Sequence, residues 1–147
     1  LLLDHVKYDQ NVGAILRTAF ASGVNGVITP IKSANLLSHD TIRISMGASA
    51  RIPIVEMNLF SAIRELKKDG VKVYAISMDG NEHYKEDLRG PVAFVLGAED
   101  VGISTRVMER VDAKVSIPMR EGIGSLNVSA SAAVICYEKL RQEVTPR

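Results

Sequence analysis

The sequence is poor in the residues that mark secreted and membrane proteins. Its 147 residues include one cysteine, no tryptophan, three phenylalanines and four tyrosines. The single thiol of Cys136 cannot form an intramolecular disulfide, and a metal site would need several other ligands, so no metal is expected. No apolar run approaches the roughly 20 residues that cross a bilayer. Residues 1–3 lack the basic flank and the long apolar stretch of a signal peptide. We therefore expect a cytoplasmic or organellar protein without membrane contact.

An excess of either charge is also missing. The chain has 18 Lys and Arg residues against 17 Asp and Glu residues, which gives a net charge of +1. Binding to nucleic acid by counterion release needs a basic surface. This charge balance therefore predicts only weak electrostatic attraction of nucleic acid. The few aromatic residues argue against a sheet that stacks unpaired bases. Charge alone therefore favours neither a nucleic-acid-binding protein nor another class.

The sequence does contain an alternation of short apolar segments and amphipathic segments. Hydrophobic residues make up 46% of the chain, enough for one compact domain over residues 1–147. The pattern predicts strands over residues 1–3, 26–29, 52–56, 71–76, 92–96 and 114–117, and helices over residues 11–22, 58–69, 104–110 and 127–142. This alternation predicts an α/β fold, with a mostly parallel sheet and helices on both of its faces.

Three polar segments are not explained by packing, and the first opens the first predicted helix. There Asn11 is followed by Gly13 and Arg17. The free N–H groups of a helix start can bind a phosphate or orient an amide, and Arg17 carries a planar, permanently charged group suited to phosphate. The alternative is that Asn11 only caps the helix and Arg17 only faces solvent.

The other two polar segments follow predicted strands. Residues 96–102, Leu-Gly-Ala-Glu-Asp-Val-Gly, come directly after the most apolar strand. Residues 116–129 lead into the last helix through a proline, two glycines and the run Ser-Leu-Asn-Val-Ser. Ligands of parallel sheets bind at the carboxyl ends of strands, where small residues permit close approach. The alternatives are a polar turn in the first case and a helix cap by Ser125 or Asn127 in the second.

Taken in order, these segments resemble the three motifs of the SpoU (TrmH-like) RNA 2′-O-ribose methyltransferases of the SPOUT superfamily. The similarity rests on Asn11 with Arg17, on residues 96–99 and on residues 117–129, and it spans essentially the whole chain. It implies a SPOUT fold with a C-terminal trefoil knot, a rare exception to unknotted connections. It also implies S-adenosylmethionine as the methyl donor, an RNA substrate and a homodimer.

The resemblance further assigns roles to individual residues. The catalytic positions of the family are matched by Arg17, Asn11, Glu99, Ser125 and Asn127. The family's cofactor pocket is matched by Leu96, Gly97, Ile117, Ser125 and Leu126. We expect valine at Gly97 or Gly124 to weaken cofactor binding, because a side chain there would occupy ligand space or demand an unfavourable backbone angle.

Removal of the proton from the ribose 2′-hydroxyl is the step that the sequence leaves open. A guanidinium keeps its proton far above neutral pH, so we expect Arg17 to stabilise alkoxide charge and anchor a phosphate. The proton is then expected to leave to phosphate or water. His5, His39 and His83 lie outside the motifs, and His5, which follows the first strand, is expected to face solvent.

The substrate and the assembly remain hypotheses. Residues 11–30 are most similar to the guanosine methyltransferases of large-subunit rRNA; the alternatives are a tRNA ribose methyltransferase and a catalytically idle RNA-binding relative. The last predicted helix has apolar residues nearly all round, which favours a homodimer. The start without Met, within a predicted strand, suggests a catalytic domain whose N-terminal RNA-binding domain is absent, and such a domain is expected to select RNA poorly.

Overall fold

The structure, a computed structural model, describes residues 1–145 and is built around one sheet. Its strands are β1 (Leu2–Asp4), β2 (Val27–Thr29), β3 (Ile54–Glu56), β4 (Lys72–Glu82), β5 (Val92–Gly97) and β6 (Ala113–Ser116). Its helices are α1 (Asp9–Ala21), α2 (His39–Ile44), α3 (Leu59–Lys68), α4 (Thr105–Met108) and α5 (Val128–Val144). The strands lie in the order β3-β2-β1-β5-β4-β6, and every pair is parallel. The predicted α/β fold is confirmed.

Helices cover both faces of the sheet, because successive residues of a strand point to opposite sides. In β1, Leu3 packs in the cluster that contains α1 and α5, whereas Leu2 packs in the cluster that contains α3 and α4. In β5, Leu96 and Val95 divide between the same two clusters. The central strands are therefore buried on both sides, as their apolar sequences predict.

Local signals define where the helices begin and end. The side chain of Asn58 caps α3, accepting hydrogen bonds from the backbone N–H groups of Phe60 at 2.9 Å and Ser61 at 3.2 Å. Gly23 follows α1 with a φ of 78°, a conformation that glycine adopts without steric cost. Every predicted strand and helix is found, and all of their ends but one agree within two residues.

The one end that differs is that of β4, which was predicted to stop at Ile76 and continues to Glu82. The chain bulges after Ile76, so that both Ile76 and Asn81 pair with Val115 of β6. An irregular pairing of this kind depends on the partner strand and leaves no period in the sequence.

Helix α2 was not predicted. It has only six residues, and it begins at Ser38, whose hydroxyl oxygen accepts a hydrogen bond from the backbone N–H of Thr41. It lies so close to α1 that a Cβ atom on Gly13 would be 2.9 Å from the Cβ of Ile44. Phe20, near the end of α1, is partly exposed beneath the guanidinium of Arg51.

The topology places the ends of β1, β5, β4 and β6 side by side at the carboxyl edge of the sheet. The implied trefoil knot concerns how the chain threads through its own loops, and it stays a prediction. Within residues 1–145, no helix has both the length and the apolar character that a membrane span requires.

Candidate active site

The segments that follow β1 and β5 are joined by polar contacts. The register of the two strands places Asp4 opposite Gly97, and the buried Asp4 carboxylate accepts a hydrogen bond of 2.7 Å from the backbone N–H of Ser104. Further along, the Lys7 ammonium donates to Asp100 at 3.1 Å. This hydrogen bond is the main cause of a raised pKa for Lys7 and a lowered pKa for Asp100. These two contacts therefore hold the segment after β1 against the segment after β5.

A hydrogen-bond chain of four side chains, Ser129, Asn127, Asn11 and Glu99, connects all three motif segments. The Asn11 amide donates to Oε1 of Glu99 at 2.9 Å. The side-chain NH₂ group of Asn127 donates to the side-chain oxygen Oδ1 of Asn11, also at 2.9 Å. Oδ1 of Asn127 accepts from the backbone N–H and the hydroxyl of Ser129 at 2.9 and 2.6 Å. Residues that are 116 positions apart in sequence are thus bonded directly to each other.

The structure shows which of Asn11, Ser125 and Asn127 cap a helix. Helix α1 begins after Tyr8, which makes no side-chain capping bond, so the interpretation of Asn11 as only a cap is wrong. Asn127 does cap α5, through the bond to Ser129, in addition to its bond to Asn11. Ser125 does not occupy the cap position; it lies exposed in the segment that precedes α5.

A cavity of about 520 Å³ lies against this network, at the carboxyl edge of β4, β5 and β6. The predicted site residues that border it are Leu96, Gly97, Glu99, Ile117, Ser125, Leu126 and Asn127. Its volume falls within the range of roughly 300–1,000 Å³ that small-molecule sites occupy. All predicted cofactor residues therefore share one cavity.

Sequence reasoning missed part of the wall of this cavity. Ile76, Ser77 and Met78, from the bulge of β4, also border it, and their position follows from the irregular pairing with β6. A larger, mainly apolar cavity of about 820 Å³ lies at the opposite edge of the sheet, beside Leu1 and Cys136. Burial raises the pKa of the Cys136 thiol there, but none of the predicted site residues borders this cavity.

The two oxygens of Glu99 differ in their surroundings. Oε1 accepts the hydrogen bond from Asn11. Oε2 is buried and has no hydrogen-bond partner among residues 1–145. Because a buried carboxylate oxygen without a donor is energetically costly, this atom marks a place where a ligand's donor would be stabilising.

Arg17 is the one predicted site residue that the structure leaves apart. Its side chain is exposed on α1 and does not border the 520 Å³ cavity. It makes no hydrogen bond or ion pair with the part of the chain that the structure describes. Its guanidinium is therefore available to a group outside this chain.

The pair formed by Asp4 and His5 was also missed. His5 is exposed, as expected, but its ring Nδ1 lies 2.8 Å from Oδ1 of Asp4 and its φ of 61° is in the left-handed region. The sequence signal that could have indicated this pair is the acidic Asp4 directly after the apolar residues 1–3. Its carboxylate holds the loop after β5 through Ser104, which gives Asp4 a structural role at the edge of the site.

The reason expected for the importance of Gly97 is wrong. A Cβ atom there would lie 2.2 Å from the backbone of Gly102 and Ile103, so it would strike the protein's own loop rather than a ligand. At Gly124 a Cβ atom would meet nothing within 4 Å. For Gly124, the loss of ligand space therefore stays a prediction.

This contrast predicts different outcomes for two otherwise matched variants. Gly97→Ala should lower the free energy of unfolding by about 1–3 kcal/mol, the usual cost of overpacking, because the loop after β5 must move. Gly124→Ala should leave it unchanged. Chemical denaturation of both proteins measures the difference, and equal stability of the two variants would contradict the close approach at Gly97.

Known proteins match this chain over nearly its whole length. The model of the SpoU rRNA Methylase family matches residues 1–137. The 23S rRNA (guanosine-2′-O-)-methyltransferase RlmB of Xanthomonas campestris is 39% identical, over 98% of this chain and 59% of its own length. A putative TrmH family tRNA/rRNA methyltransferase of Staphylococcus saprophyticus is 37% identical, over 97% of this chain and 58% of its own.

Among solved structures, the SpoU methyltransferase AviRb from Streptomyces viridochromogenes, in complex with the cofactor AdoMet, superimposes with a TM-score of 0.90. The two sequences are 27% identical, and the match covers 99% of this chain and 58% of that one. The chain thus spans about three fifths of the length of these relatives. The extent of the family match and the identity to its members show that the chain belongs to the SpoU rRNA methylase family.

Proposed function

We propose that the protein transfers a methyl group from S-adenosylmethionine to a ribose 2′-hydroxyl of RNA. The observation that carries the proposal is the hydrogen-bond chain from Ser129 to Glu99, which joins three distant motif segments beside a cavity that Glu99 and Asn127 border. A relative that is 39% identical is named for guanosine 2′-O-methylation of 23S rRNA. Family membership and an assembled polar site together support the same chemistry.

The proposed cofactor site is the 520 Å³ cavity. Leu96, Ile117 and Leu126 offer apolar surface, while Gly124 leaves the neighbouring backbone accessible. These groups suit a nucleoside ligand, which needs a shaped apolar cleft with a few polar partners. The solved complex of AviRb with AdoMet supports this choice of ligand. When bound, S-adenosylmethionine supplies an electrophilic methyl group.

The polar residues of the site are proposed to position the ribose. Asn11 and Asn127 are held by their mutual hydrogen bond, and Ser125 lies at the rim with its side chain exposed. A pre-positioned polar surface aids catalysis, because it need not reorganise when charge develops. Arg17, whose guanidinium has no partner within residues 1–145, would bind an RNA phosphate and stabilise negative charge on the ribose oxygen.

A guanosine of large-subunit rRNA is the proposed target, on the strength of the 39% identical relative. A tRNA substrate is the alternative, because the name of the S. saprophyticus relative includes both RNAs. The intact chain from Asn127 to Glu99 argues against a catalytically idle relative. Because the chain spans 59% of the first relative, we also propose that a further RNA-binding domain contributes to RNA selection.

The methyl-transfer proposal predicts that the protein incorporates tritiated methyl groups from S-adenosylmethionine into ribose of a 23S rRNA transcript, and a tRNA transcript tests the alternative. Arg17→Lys should lower turnover on the order of 100-fold, because an ammonium lacks the planar fork of a guanidinium. Arg64→Lys, on the exposed side of α3, is the matched control.

Two different results would count against this account. If Arg17→Lys keeps the turnover of the wild type at saturating substrate across a pH series, the guanidinium has no special role. If neither rRNA nor tRNA is methylated although S-adenosylmethionine binds in calorimetry, the proposed activity is wrong.

A homodimer is proposed from the outer face of α5. Ala132, Ile135 and Cys136 are buried against the sheet, while Tyr137 is 49% exposed and Val134 is only partly covered. An apolar helix surface that the monomer does not bury favours a second copy of the chain. Light scattering at micromolar concentration should give twice the monomer mass of 16.0 kDa. A monomer mass that persists at this concentration would contradict the assembly.

A further inference from the structure

The starting observation is the unequal environment of the Glu99 carboxylate. Oε1 is occupied by the Asn11 amide at 2.9 Å, whereas the buried Oε2 has no partner within residues 1–145. Buried polar atoms in folded proteins are nearly always hydrogen-bonded. An isolated acceptor of this kind, on the wall of a ligand-sized cavity, therefore indicates that a bound molecule supplies the missing donor.

The position of this oxygen is fixed by groups from three parts of the chain. Asn11 can present its NH₂ group to Glu99 because its carbonyl oxygen is already held by Asn127. Asn127 is held in turn by the first turn of α5, through Ser129. Each amide thus has one orientation that satisfies both of its neighbours. The network leaves Oε2 as the free acceptor at its end.

We propose that Oε2 of Glu99 accepts the proton of the ribose 2′-hydroxyl during methyl transfer, an inference that rests on the proposed function. The ribose oxygen forms a bond to the methyl carbon as the carbon–sulfur bond breaks. The sulfur keeps that electron pair and loses its positive charge. The hydroxyl proton passes to Oε2 of Glu99 and later to solvent, so the carboxylate is regenerated.

A carboxylate is a weak base, but the timing of the step makes it sufficient. Proton transfer and carbon–oxygen bond formation are concerted. The hydroxyl becomes more acidic as its oxygen donates electrons to the methyl carbon, and Arg17 stabilises the partial negative charge that the departing proton leaves on the oxygen. An acceptor within hydrogen-bond reach is needed at that moment, more than a strong base beforehand. Glu99 therefore replaces the phosphate or water expected as proton acceptor from the sequence.

The other candidate groups are engaged or carry the wrong chemistry. Arg17 has only donors. The carboxylate of Asp100 is paired with Lys7 at 3.1 Å. Both oxygens of Asp4 are used, one by the backbone of Ser104 and one by the ring of His5.

The charged groups near Glu99 are few. Lys7, from the segment after β1, is close enough for the Glu99 charge to contribute to its raised pKa, and Asp100 is the next residue in the loop. Helix α1 places the neutral amide of Asn11 against Glu99, and the neutral amide of Asn127, the cap of α5, bonds to Asn11 in turn. Substitution of Glu99 therefore removes the one carboxylate that the network presents to the cavity without a partner for Oε2 among residues 1–145.

The test compares wild-type protein with Glu99→Gln, which keeps an acceptor for Asn11 but cannot take up a proton. With a 23S rRNA transcript as substrate, kcat should fall about 100-fold or more, the usual contribution of a general base. Affinity for S-adenosylhomocysteine in calorimetry should change less than threefold. Glu99→Asp should recover part of the turnover, and Glu109→Gln, an exposed carboxylate after α4, serves as the matched control.

A second readout does not depend on turnover. The side-chain amide resonance of Asn11, assigned by its loss in Asn11→Asp, should respond to pH in the wild type. This response and the acidic limb of the kcat profile should both be absent in Glu99→Gln. Wild-type kcat in Glu99→Gln, or an acidic limb that persists in this variant, overturns the proton-acceptor role while methylation by the wild type still supports the proposed function.

Discussion

The pairing of β1 with β5 at the centre of the sheet is the constraint on which the site depends. Because the two strands are parallel and in register from Leu2 to Asp4, their following segments leave the sheet side by side. Three polar contacts then join those segments: Asp4 with the backbone of Ser104, Lys7 with Asp100, and Asn11 with Glu99. The pairing of β1 with β5 thus determines which distant residues meet beside the cavity.

These three contacts do not contribute equally. Lys7 and Asp100 are about half exposed, and ion pairs of that kind contribute little to stability. The Asp4 carboxylate is almost fully buried, so its bond to Ser104 is formed away from competing water. The bond between Asn11 and Glu99 orients two functional groups. The contact nearest the strand ends, between Asp4 and Ser104, therefore contributes most to stability. The contact between Asn11 and Glu99, farther along the same two segments, contributes to chemical specificity.

Close backbone approach is the second constraint at this edge. The loop after β5 folds back so tightly that Gly97 has no room for a side chain beside Gly102 and Ile103. A small residue in such a motif suggests space for a ligand when only the sequence is considered. The structure shows that the same glycine is required by the loop, which in turn carries Glu99 to the end of the hydrogen-bond chain.

Much of the fold could be predicted because its signals are local. The apolar residues 92–96 indicate a doubly covered strand, and Asn58 indicates a helix start through its own backbone neighbours. Helix α2 could not be predicted, since six residues are too few to show a periodic apolar face. The bulge of β4 depends on a partner strand more than 30 residues later.

The candidate site shows the same division between local and distant signals. Its residue types could be identified from the three motifs, and the structure gathers all of them at one edge except Arg17. The partner of Asn11 could not be identified, because Glu99 lies 88 positions away in sequence. Which oxygen of Glu99 is free depends on the packing of three separate segments, and no sequence pattern encodes it.

The central claim is that Asn11 and Asn127 act as parts of one hydrogen-bonded unit, and a double-mutant cycle tests it most directly. Asn11→Ala removes the middle of the chain, while Asn127→Ser keeps a side chain able to cap α5 but too short to reach Asn11. Methyl transfer to a 23S rRNA transcript is measured for both single variants and for the double variant. We predict that the double variant is no slower than the slower single variant, because either change already breaks the unit. Losses that multiply would contradict the account, since they would show that the two amides act independently.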